Sequence, residues 1–154
     1  MERKLIRAEA LLDSDAAYEI YRACLYRPTR EKYASRVPEL RRGLCLACLE
    51  DGALAGLIAL APCGGEAEIL GIAVDPARRG RGVGRGLVLG AMRAGGFARL
   101  TAETDDDAVG FYRRCGFAAE PCVKNYGGAS VRRWRCVLND PNNLPLEGKE
   151  NDHV

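Results

Sequence analysis

At 154 residues the chain is sized for one domain, large enough to bury roughly two-thirds of the surface its unfolded form exposes. Its composition is that of an ordinary globular protein, 47% apolar and 29% charged, and its net charge of +2 argues against a general binder of nucleic acid or other polyanions. No apolar run approaches a membrane span, and the opening Met1-Glu-Arg-Lys-Leu-Ile-Arg7 lacks the apolar core of a signal peptide, so a cytoplasmic setting is expected.

Lys4 to Glu9 reads as a first strand. Asp13 or Ser14 can cap a helix that carries Ala17, Ile20, Tyr21, Cys24 and Leu25 at i, i+3, i+4 spacing, with Pro28 as its stop. A more polar helical stretch follows from about Thr29 to Arg42, interrupted by Pro38 and ended by Gly43. Leu44 to Leu49 and Leu54 to Ala61 are two strands joined by Glu50-Asp51-Gly52, a hairpin signal. The turn Pro62-Cys-Gly-Gly65 leads into a long strand, Glu66 to Val74. A helix over Val83 to Ala94 ends at Gly95-Gly96, and Arg99 to Glu103 is the next strand. Asp105, Asp106 and Asp107 suit the positive end of a helix over Ala108 to Arg114. From Phe117 a broken strand is expected, then a loop over Tyr126-Gly-Gly-Ala-Ser130 and a final strand over Val131 to Leu138. The polar, turn-forming stretch from Asn139 to Val154 reads as a flexible tail, leaving residues 1 to 138 as the domain.

This order, β-α-α-β-β-β-α-β-α-β-β, predicts an α/β (α+β) fold: one mixed, mostly antiparallel sheet with helices on both faces. The seven cysteines lie mostly in apolar strands and helices, as free thiols do in a reducing compartment. Cys45 and Cys48 have C-x-x-C spacing, but residues three apart in a strand point to opposite faces. They cannot share a metal, and the only histidine is His153 in the tail. No metal site is expected.

The most informative stretch is the strand Glu66 to Val74, then Asp75-Pro76-Ala77, and then Arg78-Arg-Gly-Arg-Gly-Val-Gly-Arg85 opening a helix. Such a loop presents backbone N–H groups at a helix N-terminus, where a phosphate can sit close to glycines. It fits neither the dinucleotide fingerprint nor the Walker pattern, since no Lys follows the glycines. What fits is Arg79-x-x-Gly82-x-Gly84, which resembles the acyl-coenzyme A pyrophosphate loop of the GNAT N-acyltransferase superfamily. Ala108-Val-Gly-Phe111-Tyr112-Arg-Arg-Cys-Gly116-Phe117 resembles that family's later motif, in the matching order and spacing.

The resemblance implies an N-acetyltransferase that moves an acetyl group from acetyl-CoA to a primary amine by direct attack in a ternary complex. In that family two central parallel strands splay apart and the thioester lies between them; here these would be Glu66 to Val74 and Arg99 to Glu103. Main-chain groups of Ile72, Ala73 and Val74 would pair with the pantetheine arm. Arg79, Gly80, Arg81, Gly82, Val83 and Gly84 would cradle the pyrophosphate, with Arg78, Arg81 or Arg85 reaching for the 3′-phosphate. Tyr112 takes the place of the tyrosine that protonates the departing thiolate, and Glu68 that of a glutamate that activates the amine, with Glu66 a rival on the same face. Where the family often has Asn, this chain has Asp105, which cannot donate a side-chain hydrogen bond and is expected to cap the helix.

Acyl transfer needs a deprotonated amine, a stabilised oxyanion and a protonated leaving group. No His, Ser or Lys cluster offers a covalent relay, so direct attack is the simpler mechanism. The alternative reading is a non-catalytic acyl-CoA-binding sensor. The acceptor, small-molecule amine or peptide and protein amine, is not legible in the sequence; the family's acceptor pocket corresponds to about residues 16–42 and 124–131, where Tyr18, Tyr21, Tyr26 and Tyr33 suggest an aromatic lining. Dimerisation is common in the family, and the final strand could support a homodimer.

Overall fold

Residues 1–140 are described by the structure, a computed structural model; the expected tail beyond Asp140, with His153, lies outside the described residues. The elements are β1 (Arg3–Arg7), α1 (Asp15–Tyr21), α2 (Arg30–Arg42), β2 (Leu44–Glu50), β3 (Ala53–Cys63), β4 (Glu66–Val74), α3 (Val83–Gly95), β5 (Arg99–Thr104), α4 (Val109–Arg114), β6 (Ala118–Tyr126) and β7 (Ala129–Asn139). They build one seven-stranded sheet in the order β1-β2-β3-β4-β5-β7-β6. Every neighbouring pair is antiparallel except β4 and β5. Among the described residues no helix is long and apolar enough to cross a membrane.

Helices cover both faces. On one, α3 and α4 bury Val83, Leu87, Val88, Ala91, Val109 and Tyr112 against Leu46, Cys48, Ile58, Leu60, Ala67, Ile69, Leu100 and Ala102. On the other, α1 and α2 bury Ala17, Tyr18, Ile20, Tyr21, Tyr33, Val37 and Leu40 against Cys45, Ala47, Leu57, Ala59 and Ala73. Cys45 and Cys48 therefore fall in opposite cores, as strand alternation requires. The buried strand residues of the α1/α2 core come from β2, β3 and β4, and among the described residues no helix covers the matching face of β5, β7 and β6. That asymmetry leaves an open floor beside the two central strands.

Three elements differ from the sequence expectation. Ser14 caps α1, its hydroxyl accepting from Ala17 N–H at 3.1 Å, but the helix tightens into a 3-10 turn over Arg22–Cys24 instead of continuing to Leu25. Pro38 does not interrupt α2. It stands on the exposed side, while Val37 and Leu40 anchor the helix before and after it, so packing outweighs one missing backbone hydrogen bond. The expected broken strand and loop form one hairpin, β6 paired with β7 from Ala118↔Val137 to Tyr126↔Ala129. Gly127 and Gly128 at φ 54° and 89° make its two-residue turn. Pro121 is tolerated because β6 is an edge strand and needs no second ladder.

Candidate active site

The site begins where β4 and β5 part. Their parallel register runs only from Glu66↔Arg99 to Glu68↔Thr101, although β4 continues to Val74 and β5 to Thr104. A β-bulge contributes to this geometry. Leu60 pairs with Ile69 and Ala59 with Gly71, which leaves Leu70 as an extra residue. After it the alternation reverses: Ala67 and Ile69 belong to the α3/α4 core, but so do Ile72 and Val74, while Ala73 enters the other. Gly71 is needed at this point because a Cβ would collide with the ring and hydroxyl of Tyr21 from α1.

Main-chain directions follow from the ladder. Asp75 N–H donates to Ala55 C=O at 2.8 Å, so alternate residues Ala73 and Gly71 also face β3, and Ile72 and Val74 face the gap. Cys24, from the turn after α1, accordingly reaches Ile72 C=O with its thiol at 3.4 Å. The free edge thus belongs to Ile72 and Val74. Ala73, expected to share it, has its N–H and C=O turned to Leu57.

Beyond Val74 the chain makes a 3-10 turn over Pro76–Arg78, closed by Asp75, whose carboxylate accepts from Ala77 N–H at 3.1 Å. Gly80 and Gly82 then take φ of 78° and 82°, left-handed values that glycine adopts without strain. A Cβ at Gly80 would meet nothing within 4 Å, so that side of the loop is open. Gly82 is the N-cap of α3 and offers no side chain to the helix. The first-turn N–H groups of Val83, Gly84 and Arg85 have no intrahelical acceptor. An open glycine turn followed by orphan donors at a helix N-terminus fits a diphosphate.

The arginines divide their duties. Arg79 is exposed, with no hydrogen bond or ion pair among the described residues. Arg85 donates to Arg114 C=O at 3.3 Å, tying α3 to the end of α4. Arg78 and Arg81 turn to a residue that sequence reasoning assigned to a turn, Glu50, at 3.1 and 3.5 Å. Gly84 is buried, and a Cβ there would come within 2.6 Å of Phe111 on α4.

Tyr112 projects from α4; Asp105, expected to cap this helix, accepts from Ala108 N–H at 2.9 Å in the turn before it, while the N-cap position is Ala108, which has no side-chain capping hydrogen bond of its own. The Tyr112 ring is 6% exposed, held edge-on between Phe111 and Phe117 with centroids 5.2 Å away in each case. Its hydroxyl makes no hydrogen bond among the described residues. The single buried side-chain N or O atom without a partner there is Arg133 Nε, so the phenolic oxygen reaches accessible space although the ring does not. Burial first, and then the nearby thiols of Cys24, Cys136 and Cys115, push its pKa well above the ordinary tyrosine value. Cys24 acts on Tyr21 in the same way.

Glu68 is the last β4 residue paired with β5, opposite Thr101, and it is exposed on the open floor. Glu66 and Glu103 share that face but are engaged, Glu66 with Arg99 at 3.5 Å and Glu103 with Lys124 at 3.1 Å. Glu68 makes no ion pair among the described residues. A recess of about 530 Å³, lined by Asp13, Ala34, Val37, Pro38, Arg41 and Arg42, shares no residue with this arrangement. No cluster of three or more metal-ligating side chains occurs among the described residues.

A mixed sheet with a splayed parallel pair, followed by a glycine loop at a helix N-terminus, defines the acyl-CoA N-acyltransferase fold. Residues 14–117 match the model of the acetyltransferase (GNAT) family, and the chain belongs to that family. Its fold is similar to that of the ribosomal-protein-S18-alanine N-acetyltransferase of Escherichia coli, with a TM-score of 0.69 and 23% identity over 94% of this chain and 99% of that one. A Bacillus subtilis acetyltransferase solved in complex with CoA gives a TM-score of 0.66 and 21% identity over 90% of this chain and 99% of the other. The ribosomal-protein-alanine N-acetyltransferase of Brucella melitensis gives 0.65 and 17% over 89% and 99%. No protein of curated function matches the sequence.

Proposed function

We propose that the chain is a cytoplasmic N-acyltransferase that passes an acetyl group from acetyl-CoA to a primary amine by direct attack in a ternary complex. The observation that carries this reading is the gap itself. Ile72 and Val74 offer there an edge that pairs with no other strand, Tyr112 has a hydroxyl without a partner among the described residues, and the glycine loop follows Val74 after the 3-10 turn. Ile72 and Val74 would hold the pantetheine arm as an added strand. The N–H groups from Gly80 to Arg85, with Arg79, would hold the diphosphate.

Acetyl-CoA supplies an activated thioester, so orientation contributes much of the rate. Glu68, at the fork, takes the proton from the amine directly or through water, and Tyr112 donates to the departing sulfur. Since Glu66 and Glu103 are committed to ion pairs, Glu68→Gln is expected to lower kcat about tenfold to a hundredfold, towards the lower range of general-base effects. Steady-state kinetics at saturating acetyl-CoA would measure this, and an undiminished kcat would remove Glu68 from the mechanism.

Likeness to two ribosomal-protein-alanine N-acetyltransferases supports placing peptide N-termini first in an amine screen, ahead of lysine side chains and small amines. The binding half of the reading is tested by calorimetric titration with acetyl-CoA, using desulfo-CoA and ATP as controls. Micromolar binding that ATP does not reproduce is expected. A folded sample that binds neither coenzyme would end the transferase reading, and one that binds acetyl-CoA yet transfers to no amine would be a sensor.

A further inference from the structure

Glu50 is the last residue of β2, and its carboxylate has no exposed surface. Three guanidinium groups from three places cover it. Arg3, its cross-strand partner on β1, donates from Nε at 3.1 Å and Nη2 at 2.6 Å. Arg78, in the turn after β4, donates from Nη1 at 3.1 Å, and Arg81 of the glycine loop stands at 3.5 Å. One guanidinium would neutralise a carboxylate; here two of the three come from the loop that precedes α3. The hydrogen bonds of Arg3, then those of Arg78 and the charges of Arg3 and Arg81, hold the carboxyl below the usual range against its desolvation.

We propose that Glu50 is a positioning residue for coenzyme binding: through Arg3, Arg78 and Arg81 it sets the shape of the loop that receives the diphosphate. The inference rests on the transferase reading and deepens it. Arg3 Nη2, while bound to Glu50, also donates to Arg81 C=O at 3.0 Å. In a trans peptide the carbonyl and the next N–H point in opposite directions, and no peptide bond of the described chain is cis. Pinning Arg81 C=O towards Arg3 therefore aims Gly82 N–H away from it. Gly80 and Gly82 contribute no side chains, and the residues between Arg78 and Gly82 have few hydrogen bonds of their own. A segment of that kind binds well only if its ordering is completed before the ligand arrives. The Glu50 cluster supplies that order from beneath, and it keeps Arg81 beside the loop at a weak 3.5 Å contact from which an anion can draw it.

The test compares Glu50→Gln, Glu50→Asp and Arg3→Met with the unmodified protein, using CoA and S-acetylpantetheine, which lacks the diphosphate and adenosine. Glu50→Gln is expected to raise Kd for CoA by about tenfold to a hundredfold, the range of one charge-assisted hydrogen bond. KM for acetyl-CoA should rise in parallel while kcat at saturation holds, and kcat/KM for S-acetylpantetheine should not change. Glu50→Asp, which keeps the charge, should recover part of the loss. Arg3→Met, which keeps Glu50 paired with two arginines, should show the same pattern more weakly and serves if Glu50→Gln does not fold. Unchanged Kd in a folded variant, or equal losses for CoA and S-acetylpantetheine, would overturn the proposal by leaving Glu50 with no role or a merely structural one. If the unmodified protein turns over S-acetylpantetheine but gains nothing from the diphosphate, the loop has been misread and the proposal falls with it.

Discussion

Tyr112→Phe is expected to lower kcat about a hundredfold, the scale of a positioned general acid, while leaving coenzyme affinity nearly unchanged. The substitution removes one oxygen and keeps the ring, so the edge-on contacts with Phe111 and Phe117 survive. Because the hydroxyl has no partner among the described residues, its loss strands no buried polar group, and the melting temperature should hold. A defect confined to kcat then belongs to the chemistry. Steady-state rates at saturating acetyl-CoA and amine decide the matter, with calorimetry for the affinity. An unchanged kcat would reduce Tyr112 to a packing residue.

The raised pKa of this phenol makes it a weaker acid and, taken alone, a poorer donor. What counts is the match with the sulfur it must protonate. Cys24 is a thiol at the same gap, and burial pushes it up to about 11 despite its hydrogen bond to Ile72. A thiolate leaving from an equally dry place is more basic than in water for the same reason. Phenol and sulfur are raised together, so the transfer remains feasible, and the phenol is always protonated when it is needed.

Much of this was legible beforehand because it was local. The glycine pattern after Val74 marked a turn opening into a helix, and Gly80 and Gly82 with their left-handed φ are where the chain turns. Alternation along Leu44 to Leu49 separated Cys45 from Cys48, and it put Glu66 and Glu68 together. What failed was local in another sense. Pro38 reads as an interruption and the stretch from Phe117 as a broken strand, yet Pro38 rides the exposed side of a helix anchored by Val37 and Leu40 and β6 is a continuous edge strand. Glu50 could not be recognised at all. Its neighbours Asp51 and Gly52 mark a turn, whereas its partners stand at positions 3, 78 and 81 and meet only when β1 pairs with β2 and the loop returns over them. The bulge at Leu70 was similarly hidden, since it is a property of the pairing with β3 rather than of β4.

Gly84 joins the two motifs, and substitutions there should have the other large effect. Gly84→Ala puts a Cβ 2.6 Å from Phe111 Cε1. Overpacking of this kind costs about 1–3 kcal/mol, against a gain of at most about 1 kcal/mol from replacing glycine in a helix. The variant should therefore be less stable, and Phe111→Leu in the same chain should recover part of the loss. Gly84→Asp adds a charge to the same bulk. An acid in the first turn of a helix is ordinarily favourable, but here the side chain starts 2.6 Å from Phe111 in a buried place, so Gly84→Asp and Gly84→Asn should both be less stable than the unmodified protein, and the effect of the charge is read from their difference in ligand affinity. Acetyl-CoA affinity is expected to drop by about a hundredfold or more relative to Gly84→Asn, the neutral side chain of nearly equal size, as like charges meet where few waters screen them. Calorimetry on the folded pair isolates that charge. If Asp and Asn bind equally weakly, Gly84 matters only as the place where α3 and α4 touch, and the diphosphate does not lie at this helix end.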